Sequence, residues 1–229
     1  MADDVERSYT ARATEYAERL GTMGAVHPSD VQLVTSWAEA IDGPVLDAGC
    51  GPGHWAGHLA MRGVVVHGVD QVSAFVEHAR ASFPADAYPS LSFATGSIDA
   101  LADAGGTYGG VLAWYSLIHH EPVSLRRALD EFVRVLRPGG GLLVGFFVGA
   151  DVEPFDHAVV RAHRWPPDVF ADELRAAGFD VIETHTRTAA AAQPRPHGAI
   201  LARRRIDDTA DVPATRDGPG PRSASPPGV

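Results

Sequence analysis

Apolar positions along the chain switch repeatedly between two periods. Val31, Val34, Ala38 and Ile41 recur at helical spacing after His27-Pro28, which predicts a helix capped by Ser29 or Asp30. A short apolar run from Pro44 to Asp47 predicts a buried strand. The alternating Gly49, Gly51 and Gly53 then predict a turn into an amphipathic helix from His54 to Met61. The pattern repeats, with a strand over Val64 to Val69 ending at Asp70 and a helix stripe of Val72, Phe75, Val76 and Ala79. After a loop from Pro84 to Ser90, Leu91 to Thr95 and Val111 to Tyr115 predict strands. Leu125, Leu129, Phe132, Val133 and Leu136 mark a helix stopping before Pro138, and Leu142 to Val148 predicts the next strand. Asp151 to Arg164 has no clear period. Trp165-Pro166-Pro167 opens a helix to Ala177, closed by Gly178, and Val181 to Thr186 with Ala199 to Arg203 predict a terminal hairpin.

Strands that alternate with helices pair in parallel, because a parallel connection needs a crossover, and the helices then cover both faces of the sheet. The predicted class is α/β, a doubly wound Rossmann-like sheet. Ahead of it, Tyr9, Ala13, Tyr16, Ala17 and Leu20 at helical spacing predict a further helix, so residues 1–42 form an N-terminal helical cap. Residues 43–205 form the sheet domain, with a variable loop over 146–165. From Ile206 onward Pro, Gly, Asp and Ser dominate, and 206–229 is expected to be a disordered tail. Ligands of such sheets sit beyond the carboxyl ends of the strands, where Asp47, Asp70, Ser97, Trp114 and Tyr115 fall.

Composition narrows the partners. The 19 basic residues are all Arg and face 29 acidic ones, a net charge of −10, so nucleic acid and anionic membrane are disfavoured. The single Cys50 allows no internal disulfide, and Met1 to Leu20 has no apolar signal core, which points to the cytoplasm. No apolar run approaches the roughly 18 residues of a membrane span. A monomer or homodimer acting on a small molecule is expected.

The glycine turn carries the chemistry. Helix amides at its end are donors without intrahelical partners. A dinucleotide fingerprint, G-x-G-x-x-G, needs its third glycine where His54 stands, so a pyrophosphate fits poorly. Asp70, 21 residues after Gly49, is placed to accept hydrogen bonds from a ribose diol. A nucleoside ligand fits; an ordinary tight strand–helix turn is the alternative.

VLDAGCGPG, the acid Asp70, the GSIDAL segment and RVLRPGGGLLV together resemble the class I S-adenosylmethionine-dependent methyltransferases of small-molecule type. The resemblance spans roughly Tyr9 to Arg205 and implies a seven-stranded sheet whose last strand is antiparallel. It also implies S-adenosylmethionine as donor and S-adenosylhomocysteine as product. By similarity, Asp47, Gly49, Gly51 and Gly53 meet the methionine end, Asp70 the ribose, and Gln71 and Val72 the adenine, with Ser97 and Ile98 on its other side. Members commonly carry an acid where Ser97 stands; either Ser97 or Asp99 takes its place. Tyr16 is expected over the cofactor.

Methyl transfer from a sulfonium is an in-line displacement that rewards alignment and exclusion of water. Aromatic faces suit a cationic sulfonium, so Trp114 and Tyr115 are expected at the reacting methyl; packing of the wall is the alternative for Trp114. His119 is the preferred base, with a pKa near working pH. His120, Tyr9, Phe146, His157 and Arg164 are expected to bind the acceptor, with His163 nearby. The eleven histidines are scattered, and no metal is expected. The expected activity is methylation of a small, aromatic or acidic metabolite of the natural-product type. The alternative is a noncatalytic, regulatory protein that binds the same nucleoside.

Overall fold

The computed structural model describes residues 21–157, 161–188 and 195–206. Tyr9, Tyr16 and the tail from 207 lie outside them. After a 3-10 turn at Met23–Ala25 come α1 (Pro28–Glu39), β1 (Val45–Ala48), α2 (His54–Ala60), β2 (Val66–Asp70), α3 (Ser73–Ser82), β3 (Leu91–Thr95) and β4 (Tyr108–Trp114). A 3-10 turn at Leu117–His119 leads to α4 (Pro122–Val135), β5 (Leu136–Val148), β6 (Glu153–Phe155), β7 (Ala162–Trp165), α5 (Pro167–Ala177), β8 (Phe179–Arg187) and β9 (His197–Arg204).

Seven of these strands give the expected doubly wound sheet. β3, β2, β1, β4 and β5 lie side by side and parallel. β9 runs antiparallel along β5 from Gly141 to Phe147 and carries β8 on its far side. Period-2 alternation splits the core between the faces. Leu46, Val111, Leu142 and Val144 pack with Phe132 of α4 and Phe170 of α5. Val45, Leu112 and Leu143 pack with Trp37 of α1, Trp55 of α2 and Val76 of α3.

Three expectations change. The cap of α1 is His27, whose Nδ1 accepts from the Ser29 N–H at 3.2 Å, rather than Ser29 or Asp30. The chain passes from α4 into β5 at Leu136 with no intervening loop. The stretch Asp151 to Arg164 is not wholly irregular: β6 pairs with β7, and β7 continues the ladder along Phe147 and Val148 beyond the last residue of β4 paired with β5. The strand segments there are too short to show a period of their own, so pairing with the end of β5 decides their conformation.

Candidate functional site

A cavity of about 640 Å³ opens at the carboxyl ends of β1, β2 and β4. Its first half is backbone. Past β1 the chain turns through Gly49 (φ 76°) and Gly51 (φ 53°), left-handed conformations that glycine adopts without steric cost. The N–H groups of Gly49 and Cys50 both donate to the Val69 carbonyl, at 2.7 and 3.0 Å, tying the turn to β2. A Cβ on Gly49 would lie 2.4 Å from Ser116 Cβ, whereas one on Gly51 would meet nothing within 4 Å and project into open space.

Gly53 departs from the expectation that all three glycines meet the ligand. A Cβ there would lie 2.8 Å from Ala79 Cβ and 2.9 Å from Phe93 Cζ, and its N–H donates to the Cys50 carbonyl. It caps α2 against α3 and β3, and it does not line the cavity.

Two carboxylates stand beside this turn. Asp70 accepts from the Gly51 N–H through Oδ2 and from the Val72 N–H through Oδ1, both at 2.8 Å. Burial raises its pKa, and those two amides oppose the rise. Asp47 is 2% exposed, and its Oδ2 is buried with no hydrogen-bond partner. Burial, and then repulsion from Asp70, push Asp47 up to about 7, against the pull of the Ala56 N–H. Gln71, Val72, Phe75, Ser97 and Ile98 complete this half. Ser97 Oγ accepts from the Asp99 N–H at 3.2 Å, and the Asp99 carboxylate takes His120 Nε2 at 2.8 Å. His120 is therefore joined through Asp99 to Ser97.

The second half is built from side chains. Trp114 lines the cavity with its ring edge-on to Trp55 (5.8 Å) and Tyr115 (5.5 Å). Tyr115 is the one described non-glycine residue with positive φ (59°), a conformation that turns its ring toward Phe147, 5.0 Å away. Its hydroxyl is hydrogen-bonded to His197 Nδ1. Burial raises the phenol pKa above its usual range, so it remains protonated at neutral pH. His119 Nδ1 lies 2.8 Å from the Arg161 carbonyl. A carbonyl only accepts, which fixes the proton on Nδ1 and makes Nε2 the lone-pair nitrogen. Burial lowers the His119 pKa, partly offset by that carbonyl. His157 lies 5.6 Å from the His119 ring and is pushed down to about 4, first by burial.

Two expected acceptor residues lie elsewhere. Phe146 is 1% exposed, its ring tilted against that of Phe170 at 4.8 Å in the core, and the alternation of β5 presents Phe147 to the cavity instead. Arg164 is drawn off by Glu153 at 3.2 Å and by the Phe155 ring at 4.6 Å, and does not line the cavity. His163 Nε2 pairs with Glu121 at 3.3 Å. Conversely, His54, Arg127, Arg195 and His197 line it without having been singled out. Only His197 had a sequence signal: antiparallel pairing of the last strand with Leu142–Val148 brings its first residue opposite Phe147. Among the described residues no group of His, Cys, Asp or Glu is arranged to hold a metal ion, and no helix is long and apolar enough to cross a membrane.

A family profile described as a methyltransferase domain matches residues 45–140, from β1 into β5. A 2-heptyl-1-hydroxyquinolin-4(1H)-one methyltransferase of Mycobacteroides abscessus is 28% identical over 157 residues, covering 67% of this chain and 68% of that protein. An S-adenosyl-L-methionine-dependent Diels-Alderase of Talaromyces variabilis is 38% identical over 101 residues, 42% of this chain and 33% of that protein. The chain thus spans between a third and about two thirds of the length of these relatives. Among solved structures, the 4+2 cyclase SpnF superposes with a TM-score of 0.77 at 17% identity, covering 90% of this chain and 98% of that one. A Burkholderia thailandensis 1,6-didemethyltoxoflavin-N1-methyltransferase, bound to that compound and S-adenosylhomocysteine, gives 0.74 at 18% identity, covering 90% and 91%. The matched segment carries the glycine turn, Asp47 and Asp70. Residues 45–140 thus match a methyltransferase domain, and the fold is shared with a solved methyltransferase bound to S-adenosylhomocysteine.

Proposed function

We propose that this protein transfers the methyl group of S-adenosylmethionine to a small aromatic or acidic acceptor, with His119 as the base. One observation supports this above all: a backbone-lined half with two carboxylates and a side-chain half with aromatic rings and imidazoles form one continuous cavity.

The residues present fit the cofactor. Asp47 Oδ2, buried and lacking a partner, suits an ammonium, and the open space over Gly51 admits a ligand against the backbone. Asp70 spends one lone pair of each oxygen on amides and keeps acceptor capacity for ribose hydroxyls. Bound there, S-adenosylmethionine supplies an electrophilic methyl on a sulfonium. The chain's own part is to align the nucleophile at about 3 to 3.5 Å and exclude water. Trp114 and Tyr115 offer ring faces toward a cation. His119, held by the Arg161 carbonyl and neutral at working pH, takes the acceptor's proton at Nε2.

The test is a mass screen of phenols, indoles, amines and keto or hydroxy acids with S-adenosylmethionine. Gain of one methyl by a member of the panel is expected. Two of the similar proteins are named for cyclisation, so product isomers are followed as well. Conversion without mass gain would favour cyclisation, and nucleoside binding without any conversion would favour a regulatory binder. Either outcome contradicts the transferase.

A further inference from the structure

Among the described residues, this half of the cavity holds a cation with no counter-ion. Arg195 lines the cavity, its guanidinium 5.2 Å from the Phe155 ring centroid and 5.8 Å from that of Phe147. Among the described residues it makes no ion pair or hydrogen bond, whereas Arg134, Arg164, Arg187 and Arg205 each hold a carboxylate. A guanidinium lying on aromatic faces still has its N–H edges to offer, and those edges match a carboxylate bidentately.

The neighbours leave this charge unanswered. Asp30, an acid that lines the same cavity, is taken by Arg187 at 2.8 Å. His157 and His197 are both pushed down to about 4, by burial first and by the Arg195 charge among the smaller causes, so they are neutral and add polarity without charge. His157 Nδ1 is buried with no hydrogen-bond partner, a second polar atom available to a ligand. Phe147 and Tyr115 supply an aromatic wall. A cation in partly apolar surroundings is poorly solvated, and an incoming anion relieves that cost.

We propose that Arg195 holds the carboxylate of an aromatic acceptor and so determines which acceptors the protein takes; this rests on the transferase reading above. Among the described residues, the other cavity-lining guanidinium with no ion pair, Arg127, is exposed on α4 and lies over no aromatic ring. It serves as the control.

The experiment titrates the intact, S-adenosylhomocysteine-loaded protein with matched pairs: hydroxybenzoate and hydroxybenzamide, and indole carboxylate and indole carboxamide. The acids are expected to bind roughly tenfold or more tighter than the amides, as charge-assisted hydrogen bonds require. Arg195→Gln should abolish that preference while keeping its affinity for S-adenosylhomocysteine, which also reports a folded site. Arg195→Lys should keep part of the preference, and Arg127→Gln all of it. Amides binding as well as acids, a preference that survives Arg195→Gln, or no acid binding at all would overturn the assignment. Should the nucleoside fail to bind, the transferase reading falls, and the same acid–amide comparison on the ligand-free protein still decides the role of Arg195.

Discussion

The half of the cavity proposed for the donor, from Asp47 through Gly51 to Asp70, is held by backbone amides that donate to the Val69 carbonyl and to the Asp70 carboxylate. The acceptor half is assembled from side chains of the Leu117–His119 turn, the end of β5, the loop around His157 and the start of β9. Residues that meet across it are far apart in the chain, such as Tyr115 and His197 or His119 and Arg161. The first half is set by the strand-turn-helix unit, so few substitutions are compatible with it. The second can change residue by residue without disturbing the sheet, as expected where one scaffold serves many acceptors.

Substitutions should separate the halves. His119→Ala should lower turnover by roughly 10²- to 10⁴-fold, the usual contribution of a general base, with S-adenosylhomocysteine affinity unchanged by calorimetry. The acid limb of the wild-type rate profile should lie below the usual histidine range. Burial lowers the His119 pKa, and the base is competent only above that value. Loss of nucleoside affinity in this variant would dissolve the division between the halves.

Asp70→Ala should act in the opposite sense. It removes the acceptor of two amides as well as that of the ribose, and charge-assisted bonds are worth about 1.5 to 3 kcal/mol each. S-adenosylhomocysteine affinity should fall by roughly a hundredfold or more. Near-normal affinity would mean that the turn does not depend on its carboxylate.

Neighbouring rings on β5 give a sharper comparison. Phe146→Ala should lower stability by about 3 to 5 kcal/mol, as for other large-to-small core changes, with little effect on the KM for the acceptor. Phe147→Ala should mainly raise that KM. Denaturant unfolding and steady-state kinetics on the pair decide it, and equal effects on both quantities would count against the assignment of faces.

A smaller effect concerns protons. Asp47 is pushed up to about 7 in the free protein, so its carboxyl is partly protonated at neutral pH. An ammonium placed against it lowers that value, so binding of the nucleoside releases a fraction of a proton and tightens as pH rises through 7. Calorimetry in buffers of different ionisation enthalpy measures the release. Proton uptake would put the ammonium elsewhere.

The same division explains what the sequence made legible. The strand-helix alternation and the glycine turn are local patterns, so the seven strands β1 to β5, β8 and β9, and the turn between β1 and α2, were readable. Gly53 was misassigned because spacing does not show which way a left-handed residue turns its α-carbon. Phe146 and Phe147 were ambiguous because an unbroken apolar run hides which face meets the cavity. The ion pair that holds Arg164 is invisible in the sequence because its partner Glu153 comes from a hairpin with no period of its own. Arg195 and His197 meet the cavity only through the pairing of β9 with β5, which no short motif announces.

The glycine turn with Asp47 and Asp70 is expected to select S-adenosylmethionine over a dinucleotide. The most direct test is a calorimetric titration of the intact protein with S-adenosylhomocysteine and, separately, with NAD. Saturable heat with S-adenosylhomocysteine and none with NAD is the expected result; binding of NAD alone would contradict it.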